Sequence, residues 1–484
     1  MSSIHEALAE HLAWWELRSV ESDTAYDRWQ AEAIPADDLR RLQQMAVQKS
    51  RDFVNSAKET AFYDCAAAPA ILPILYSQRY AFYLAVGPLI AERLSGAGTV
   101  LDFGCGPGIL TTFYARLCPG LEFVGIDRSQ ASLSAARAHA GELGLKNVRF
   151  EYVDADTASV PSRYDVIIAT HALLQVEHDP GLPSRTWSTF ERDPNPQAQR
   201  EFEERTGLGR RIDHLCSALA PSGLMMLLEK THHLGRRIAL QRALAGRGLY
   251  PVQRPVPVRY RSFEEMMDDG PLYVLKRTDS REPRTEEEWN ETPDWDTRNL
   301  LYACPGQHGT HVKRRLPART TVQTEIRHGD RRGEMTVESG MWQGGAYLEV
   351  TTNDGHSALI VGPREAIEDL RRDPAAVDAL APGAPPEERL GTEPLDLPLY
   401  ENHTPGAQLV WAALEARQVV KEVTREEAGG RQMHVELGVA GALSYLYCAN
   451  TFDQRQLVVV ERGRASVIEQ YYEEIVNPKE ESPS

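Results

Sequence analysis

Apolar residues recur at helical spacing in "IHEALAEHLAWWEL" and again in "QRYAFYLAVGPLIAERL", which predicts a helical cap over residues 1–95. Within it, the Trp14–Trp15 pair is read as a core or interface anchor. The pattern changes at residue 96. Short apolar runs ("TVLDFG", "LEFVGID", "VRFEYVDAD", "YDVIIATHALL", "GLMMLLEK") alternate with helical stretches such as "GILTTFYARL" and "SLSAARAHAGELG", the last closed by glycine. Strands that are apolar along their length and separated by helices predict a parallel sheet covered on both faces through residue 278.

Residues 279–318 are charged and poor in aliphatics, and are read as a linker. Beyond it the pattern is hairpin-like. "TVQTEIRHGDRRGEMTVES", "GGAYLEVTTNDG" and "HSALIVGP" alternate in polarity and break at Gly, Asn and Asp, and a helix "REAIEDLRRD" follows. About 98 positions later the pattern recurs. Glu325-Ile326 matches Glu422-Val423, Met335-x-Val337-Glu338 matches Met433-x-Val435-Glu436, and Tyr347-Leu348 matches Tyr445-Leu446. The expectation is two tandem β-rich α+β repeats, 319–374 and 417–476, joined by a Pro-rich connector 375–416 and followed by a disordered tail 477–484.

At 484 residues, two or three domains are expected. The formal charge of −17 opposes a nucleic-acid partner unless a basic face is segregated. No uncharged apolar run reaches membrane-spanning length and the start has no secretory pattern, so neither membrane nor export is expected. The six cysteines are scattered without CxxC pairs, which suits reduced thiols in a cytoplasmic protein of bacterial type. Self-association, through the C-terminal region or the N-terminal helices, is a further expectation.

The candidate chemistry centres on "VLDFGCGPGIL", residues 100–110. A dinucleotide turn needs G-x-G-x-x-G, but Ile109 stands where its third glycine would be, and no Lys-Ser/Thr follows to make a P-loop. Asp102, two residues before Gly104, would repel a pyrophosphate and suit a ligand bearing an ammonium. Asp127 ends the next strand, where a carboxylate can accept two hydrogen bonds from a ribose diol. Asp154 ends the third, where an adenine edge would be read, with Asp156 two positions on.

These residues, with "VGIDRS" and "YDVIIATHALLQVEHDP", make residues 97–278 resemble a class I S-adenosylmethionine-dependent methyltransferase. The resemblance implies a Rossmann-like seven-stranded sheet whose last strand, here "GPLYVLKR", is antiparallel. It implies S-adenosylmethionine as cofactor and S-adenosylhomocysteine as product. Asp102 and the Gly104 and Gly106 backbone would take the methionine amine and carboxylate, Asp127 the ribose, and Asp154 with Ala155 the adenine. Cys105, Gly108, Arg128 and Thr170 complete the implied cofactor set. Ser222 and Val153 stand where glycine is common in the family.

A general base, where one is used, should lie in loops after the fourth or fifth strand. His171, His178, His232 and His233 are the candidates, with Glu177 and Glu229 behind them; proximity alone is the alternative. The insertion between those strands carries Trp187 and Phe190, read as an apolar substrate wall or as pins for the loop, and Tyr63, Tyr76 and Tyr80 as a second wall. Cys304, His308 and His311 are weighed as a metal site and set aside in favour of a polar turn, so no metal is expected. The expected substrate is a small molecule of specialised, natural-product metabolism methylated on oxygen or nitrogen. Alternatives are a peptide or protein substrate recognised by the C-terminal repeats, and a non-catalytic scaffold.

Overall fold

The computed structural model describes residues 3–51, 56–160, 163–174, 179–231, 233–263, 265–278, 320–329, 333–342, 345–352, 357–362, 364–380, 411, 414, 417–427, 431–441 and 443–477. It divides into two compact units: Met1–Gly181, Asn195–His232 and Arg236–Glu291 form one, and Leu182–Pro194, His233–Gly235 and Thr292–Ser484 the other.

The first unit begins with helices α1 (Ile4–Trp14), α2 (Asp23–Ala33), α3 (Ala36–Arg51), α4 (Ser56–Ala66), α5 (Leu72–Ser77) and α6 (Tyr80–Ala91). Ser3 and Glu6 start α1 as a reciprocal capping box, each side chain accepting from the other's backbone N–H. Leu8, Leu12 and Trp15 then pack with Val86 and Ile90 of α6 and with Phe113 and Tyr114 beyond. The predicted helical cap therefore shares one core with the sheet that follows. Of the two tryptophans, Trp15 is buried and stacks on His139 at 3.9 Å, whereas Trp14 is 38% exposed.

The sheet elements follow as β1 (Thr99–Phe103), α7 (Ile109–Leu117), β2 (Glu122–Asp127), α8 (Gln130–Glu142), β3 (Val148–Tyr152), β4 (Tyr164–Thr170), α9 (Pro196–Thr206), α10 (Leu208–Ala218), β5 (Leu219–Leu228), α11 (Leu234–Ala245), β6 (Leu249–Pro251), β7 (Val256–Ser262) and β8 (Glu265–Arg277). The order is β3-β2-β1-β4-β5-β8-β6. β3 through β5 are parallel, and β8 enters antiparallel between β5 and β6. The predicted last strand "GPLYVLKR" is thus the C-terminal part of β8. The sheet has eight strands rather than seven, because β8 begins five residues earlier and pairs antiparallel with β7. The acidic residues of that early stretch concealed it in the hydrophobic pattern.

The second unit contains β9 (Thr320–Gly329), β10 (Gly333–Trp342), β11 (Gly345–Thr352), β12 (Ser357–Gly362), α12 (Arg364–Arg372), α13 (Pro374–Leu380), β13 (Arg417–Glu427), β14 (Arg431–Ala440), β15 (Leu443–Asn450), β16 (Arg455–Glu461) and α14 (Ala465–Val476). All eight strands form one antiparallel sheet, β13-β14-β15-β16-β12-β11-β10-β9, so the two hairpin sets meet at β16 and β12. Alternation sends Val337, Leu348, Val435 and Leu446 to the face packed by Ile367 and Leu370 of α12 and Ile468 and Tyr471 of α14. Tyr347, Tyr445 and Tyr447 take the opposite face. Arg327 pairs with Met335 and Arg425 with Met433, so β9 and β13 correspond one position away from the predicted Glu325/Glu422 match.

Residues 182–194 belong to this second unit although they follow β4 in sequence. Ser184 donates to the Thr451 carbonyl, Arg192 makes a buried ion pair with Asp453, and Phe190 lies 5.0 Å beneath the Arg455 guanidinium. α13 occupies the opening residues of the predicted Pro-rich connector. The rest of it up to 410, the linker 279–318 and the tail from 478 lie outside the described residues, as do Cys304, His308 and His311.

Candidate cofactor and active site

The chain turns sharply between β1 and α7 because three glycines there take positive φ: 72° at Gly104, 54° at Gly106 and 80° at Gly108. At two of them the space is also closed. A Cβ at Gly104 would meet Ala172 Cβ at 2.5 Å, and one at Gly108 would meet the Phe150 ring at 2.9 Å. The turn lines one wall of a cavity whose empty volume is about 1060 Å3, open solvent at its mouth included.

Asp102, Gly104, Cys105, Gly106, Asp127, Arg128, Asp154, Ala155, Thr170 and His171 all line this cavity. Gly108 sits just behind it as the N-cap of α7. Asp102 is 5% exposed, and burial, opposed by a 2.5 Å hydrogen bond from Thr111 Oγ1, raises its pKa to about 7. A buried carboxyl with this affinity for a proton is one that a ligand ammonium would stabilise. Asp127 accepts from the Gly106 N–H at 2.9 Å and the Ser129 N–H at 2.8 Å, and its pKa is also raised by burial. It thus links the glycine turn to the start of α8 and faces the cavity. Asp154 Oδ1 accepts from the Asp156 N–H at 3.1 Å, holding the turn after β3. Arg128 is neutralised by Glu59, with Asp156 at 3.7 Å. Burial pushes the Cys105 thiol well up, so it is no thiolate nucleophile.

Among the described candidate bases, His171 is the one in the cavity lining. It follows β4 with φ 53°, an unusual value for a non-glycine residue. Its Nδ1 lies 3.0 Å from Arg79 Nη2 and its Nε2 3.5 Å from Asp269 Oδ2. Arginine only donates, so Nδ1 must accept and the proton sits on Nε2. Burial and the Arg79 charge lower its pKa well below the usual value. The imidazole is therefore a neutral strut between Arg79 and Asp269, and Asp269 is itself tied to Tyr260 Oη at 2.6 Å. Glu229 is also structural: its carboxylate accepts from the Ala172, Leu173 and Leu174 N–H groups and so shapes the loop after β4. His178, Glu177 and His232 lie outside the described residues. His233 falls in the second unit.

Two cations of the lining escaped the sequence reading. Arg79 precedes α6, where nothing local distinguishes it from a surface arginine, yet it is half-buried against Phe82, Tyr83 and His171. Arg211 of α10 grips both Asp156 oxygens, at 2.9 and 3.0 Å. Tyr63 and Tyr76 line the cavity as expected, whereas Tyr80 is not among its lining residues. Trp187 and Phe190, expected as a substrate wall or as loop pins, pack inside the second unit.

Residues 94–231 match the family model described as a methyltransferase domain. This segment is thus a methyltransferase domain, similar to the class I S-adenosylmethionine-dependent methyltransferases. The cofactor of this domain is S-adenosylmethionine, and the buried carboxyl, glycine turn and second-strand acid described above are the groups that would hold it. Among curated proteins, the chain is 29% identical over 167 residues to a 4-amino-L-phenylalanine/4-methylamino-L-phenylalanine methyltransferase of Streptomyces pristinaespiralis, covering 34% of this chain and 55% of that one. It is 38% identical over 103 residues to a ubiquinone biosynthesis O-methyltransferase of Stutzerimonas stutzeri, covering 21% and 43%. The chain thus spans about half the length of these relatives. Among solved structures, the mitomycin 7-O-methyltransferase MmcR aligns over 55% of this chain and 75% of its own, at 16% identity and a TM-score of 0.34.

Proposed function

We propose that the protein transfers the methyl group of S-adenosylmethionine to an oxygen or nitrogen of a small molecule of specialised metabolism. The observation that carries this reading is the buried Asp102 carboxyl at the foot of the glycine turn, in one cavity with Asp127 and Asp154. Gathering one buried and two half-buried carboxyl groups in one cavity is costly unless a ligand with an ammonium and a diol repays it. The named relatives, one acting on an aromatic amino acid and one in ubiquinone biosynthesis, agree with a small acceptor.

His171 is committed to Arg79, so the reading assigns the domain's residues to binding and alignment. The sulfonium supplies an activated methyl group. Asp102 binds the ammonium, Asp127 the ribose diol, and Arg79 attracts a carboxylate within the cavity. Tyr63, Tyr76 and Tyr83 narrow the remaining space and exclude water from the methyl's path. No base is required when the acceptor is an amine.

We also read the second unit as a duplicated module. Tyr347 Oη donates to Glu338, and its ring sits 2.6 Å from the Cβ position of Gly340; Tyr445 does the same with Glu436 and Gly438. Arg327 and Arg425 each donate to a carbonyl at the end of the following helix. The tyrosine, glutamate, glycine and arginine of each set recur at the 98-residue spacing of the sequence.

The test is thermal melting of the full chain with S-adenosylhomocysteine, followed by product mass analysis with S-adenosylmethionine and aromatic amino acids. A rise in Tm together with a methylated product supports the reading. No shift with S-adenosylhomocysteine and a shift with NADH would overturn it.

A further inference from the structure

Glu422, His434 and Glu436, on the sheet face away from the helices in the second unit, present one imidazole and two carboxylates whose ligand atoms lie within 4.8 Å of one another. We propose that these three side chains bind a divalent transition-metal ion of the zinc or cobalt class. The set is built from two neighbouring cross-strand pairs, Glu422 with Glu436 and Thr424 with His434. Side chains at every second position of a strand share a face, so His434 and Glu436 converge from β14 while Glu422 comes from β13.

The atoms around the set divide the work. Thr424 Oγ1 lies 2.8 Å from His434 Nδ1 and can accept its proton, in which tautomer the Nε2 lone pair is available to a ligand beside Glu436 Oε2 at 3.5 Å. A cation bound there would take the place of the proton that Nε2 otherwise shares with Glu436 Oε2. Glu436 Oε1 is held separately by Tyr445 Oη, by Trp411 Nε1 at 3.3 Å and by Arg417 Nε at 3.5 Å. This fixes the carboxylate and leaves Oε2 for a ligand. Partners on the far side of each ligand are how proteins orient metal-binding side chains.

The corresponding positions in β9 and β10 show that the scaffold does not need this set. Glu338 pairs with Thr324 as Glu436 pairs with Glu422, and Thr336 stands where His434 stands. The carboxylate bound to a tyrosine is present in both halves, whereas the imidazole and the second carboxylate occur only in β13 and β14. A mixed imidazole and carboxylate set suits zinc, cobalt or nickel better than calcium or magnesium. Three protein ligands leave a position for water, and Glu422, which is exposed, provides the way in.

Trp187 stacks on the His434 ring at 3.6 Å with an interplanar angle of 4°, which makes it a built-in reporter. The experiment uses the untagged full chain, stripped with chelator and titrated with CoCl2 or ZnCl2 alone. The expected result is about one equivalent bound per chain, with Co2+ quenching tryptophan emission. Glu422→Gln and His434→Gln should each weaken binding by about tenfold or more. Glu422 is exposed, so its variant is expected to fold as the wild type does, which circular dichroism checks. The proposal is overturned if the stripped chain takes up no equivalent, or if both variants bind as tightly as the wild type. The latter outcome would mean that His434 and Glu436 simply form an ion pair.

Discussion

Arg79 Nη2 donates to His171 Nδ1 across 3.0 Å, joining the residue before α6 to the residue after β4 inside the cofactor cavity. This contact decides what His171 does. A base needs a free lone pair, and the lone pair of this imidazole is already taken. His171→Asn keeps a side chain tolerant of positive φ while removing the strut. The variant should raise KM for S-adenosylmethionine, by about tenfold if one hydrogen bond to a charged group is lost, and leave the shape of the kcat pH profile unchanged. Loss of the acidic limb of that profile would instead assign His171 as the base.

Asp102 predicts a proton linked to cofactor binding. Its carboxyl has a pKa of about 7 in the ligand-free protein and an unfolded value of 3.8. Raised in the fold, it makes the free protein lose stability as pH rises from 3.8 toward 7. An ammonium beside it stabilises the ionised form, so binding below pH 7 must release a proton. Affinity for S-adenosylhomocysteine should therefore climb from pH 5.5 to about 7.5 and then level off, by up to about tenfold per pH unit in the rising limb. Calorimetry in two buffers of different ionisation enthalpy measures the released proton directly, and Asp102→Asn should abolish the release.

Asp127 serves the loop and the ribose together. Asp127→Ala removes the acceptor for the Gly106 and Ser129 N–H groups as well as the ribose partner. The loss of S-adenosylhomocysteine affinity should be about 1.5–3 kcal/mol for each charge-assisted bond to the ligand. An unchanged Kd would take Asp127 out of the site.

His11 makes the N-terminal helix sensitive to acid. Buried against Phe113, with Nε2 2.9 Å from the Ile109 carbonyl and Trp15 Nε1 at 3.1 Å, it has a pKa lowered from 6.5 to about 4, chiefly by burial. Since the folded value is depressed, the unfolded chain binds the proton first, and stability falls as pH drops from 6.5 toward 4. The slope attributable to this residue is about 1.4 kcal/mol per pH unit. His11→Gln should flatten the pH dependence of the urea midpoint across that window.

In the second unit, Arg192 and Asp453 form an ion pair with side chains 0% and 3% exposed. Arg192→Met strands a buried carboxylate and should cost about 3–5 kcal/mol, whereas the double variant Arg192→Met/Asp453→Leu should recover most of that loss. Denaturant midpoints for the two single variants and the double variant measure the coupling.

The sequence by itself determined the elements whose information is local. The glycine turn was legible because positive φ admits few residues other than glycine, and the acids Asp102, Asp127 and Asp154 because each sits at a fixed offset from a strand end. The antiparallel β8 was legible in its apolar half, and the hairpin sets from their alternation. What only the tertiary structure decided depends on where distant segments meet. Arg79 looks like any arginine until α6 packs it against β4, and His171 looks like a base until that arginine takes its lone pair. Trp187 and Phe190 fall in an insertion between strands of the first unit's sheet, yet they belong to the second unit and pack half-buried on its residues. His434 and Glu422 acquire meaning only through the β13–β14 register, since pairing between strands is set by burial of whole faces and not by any short motif.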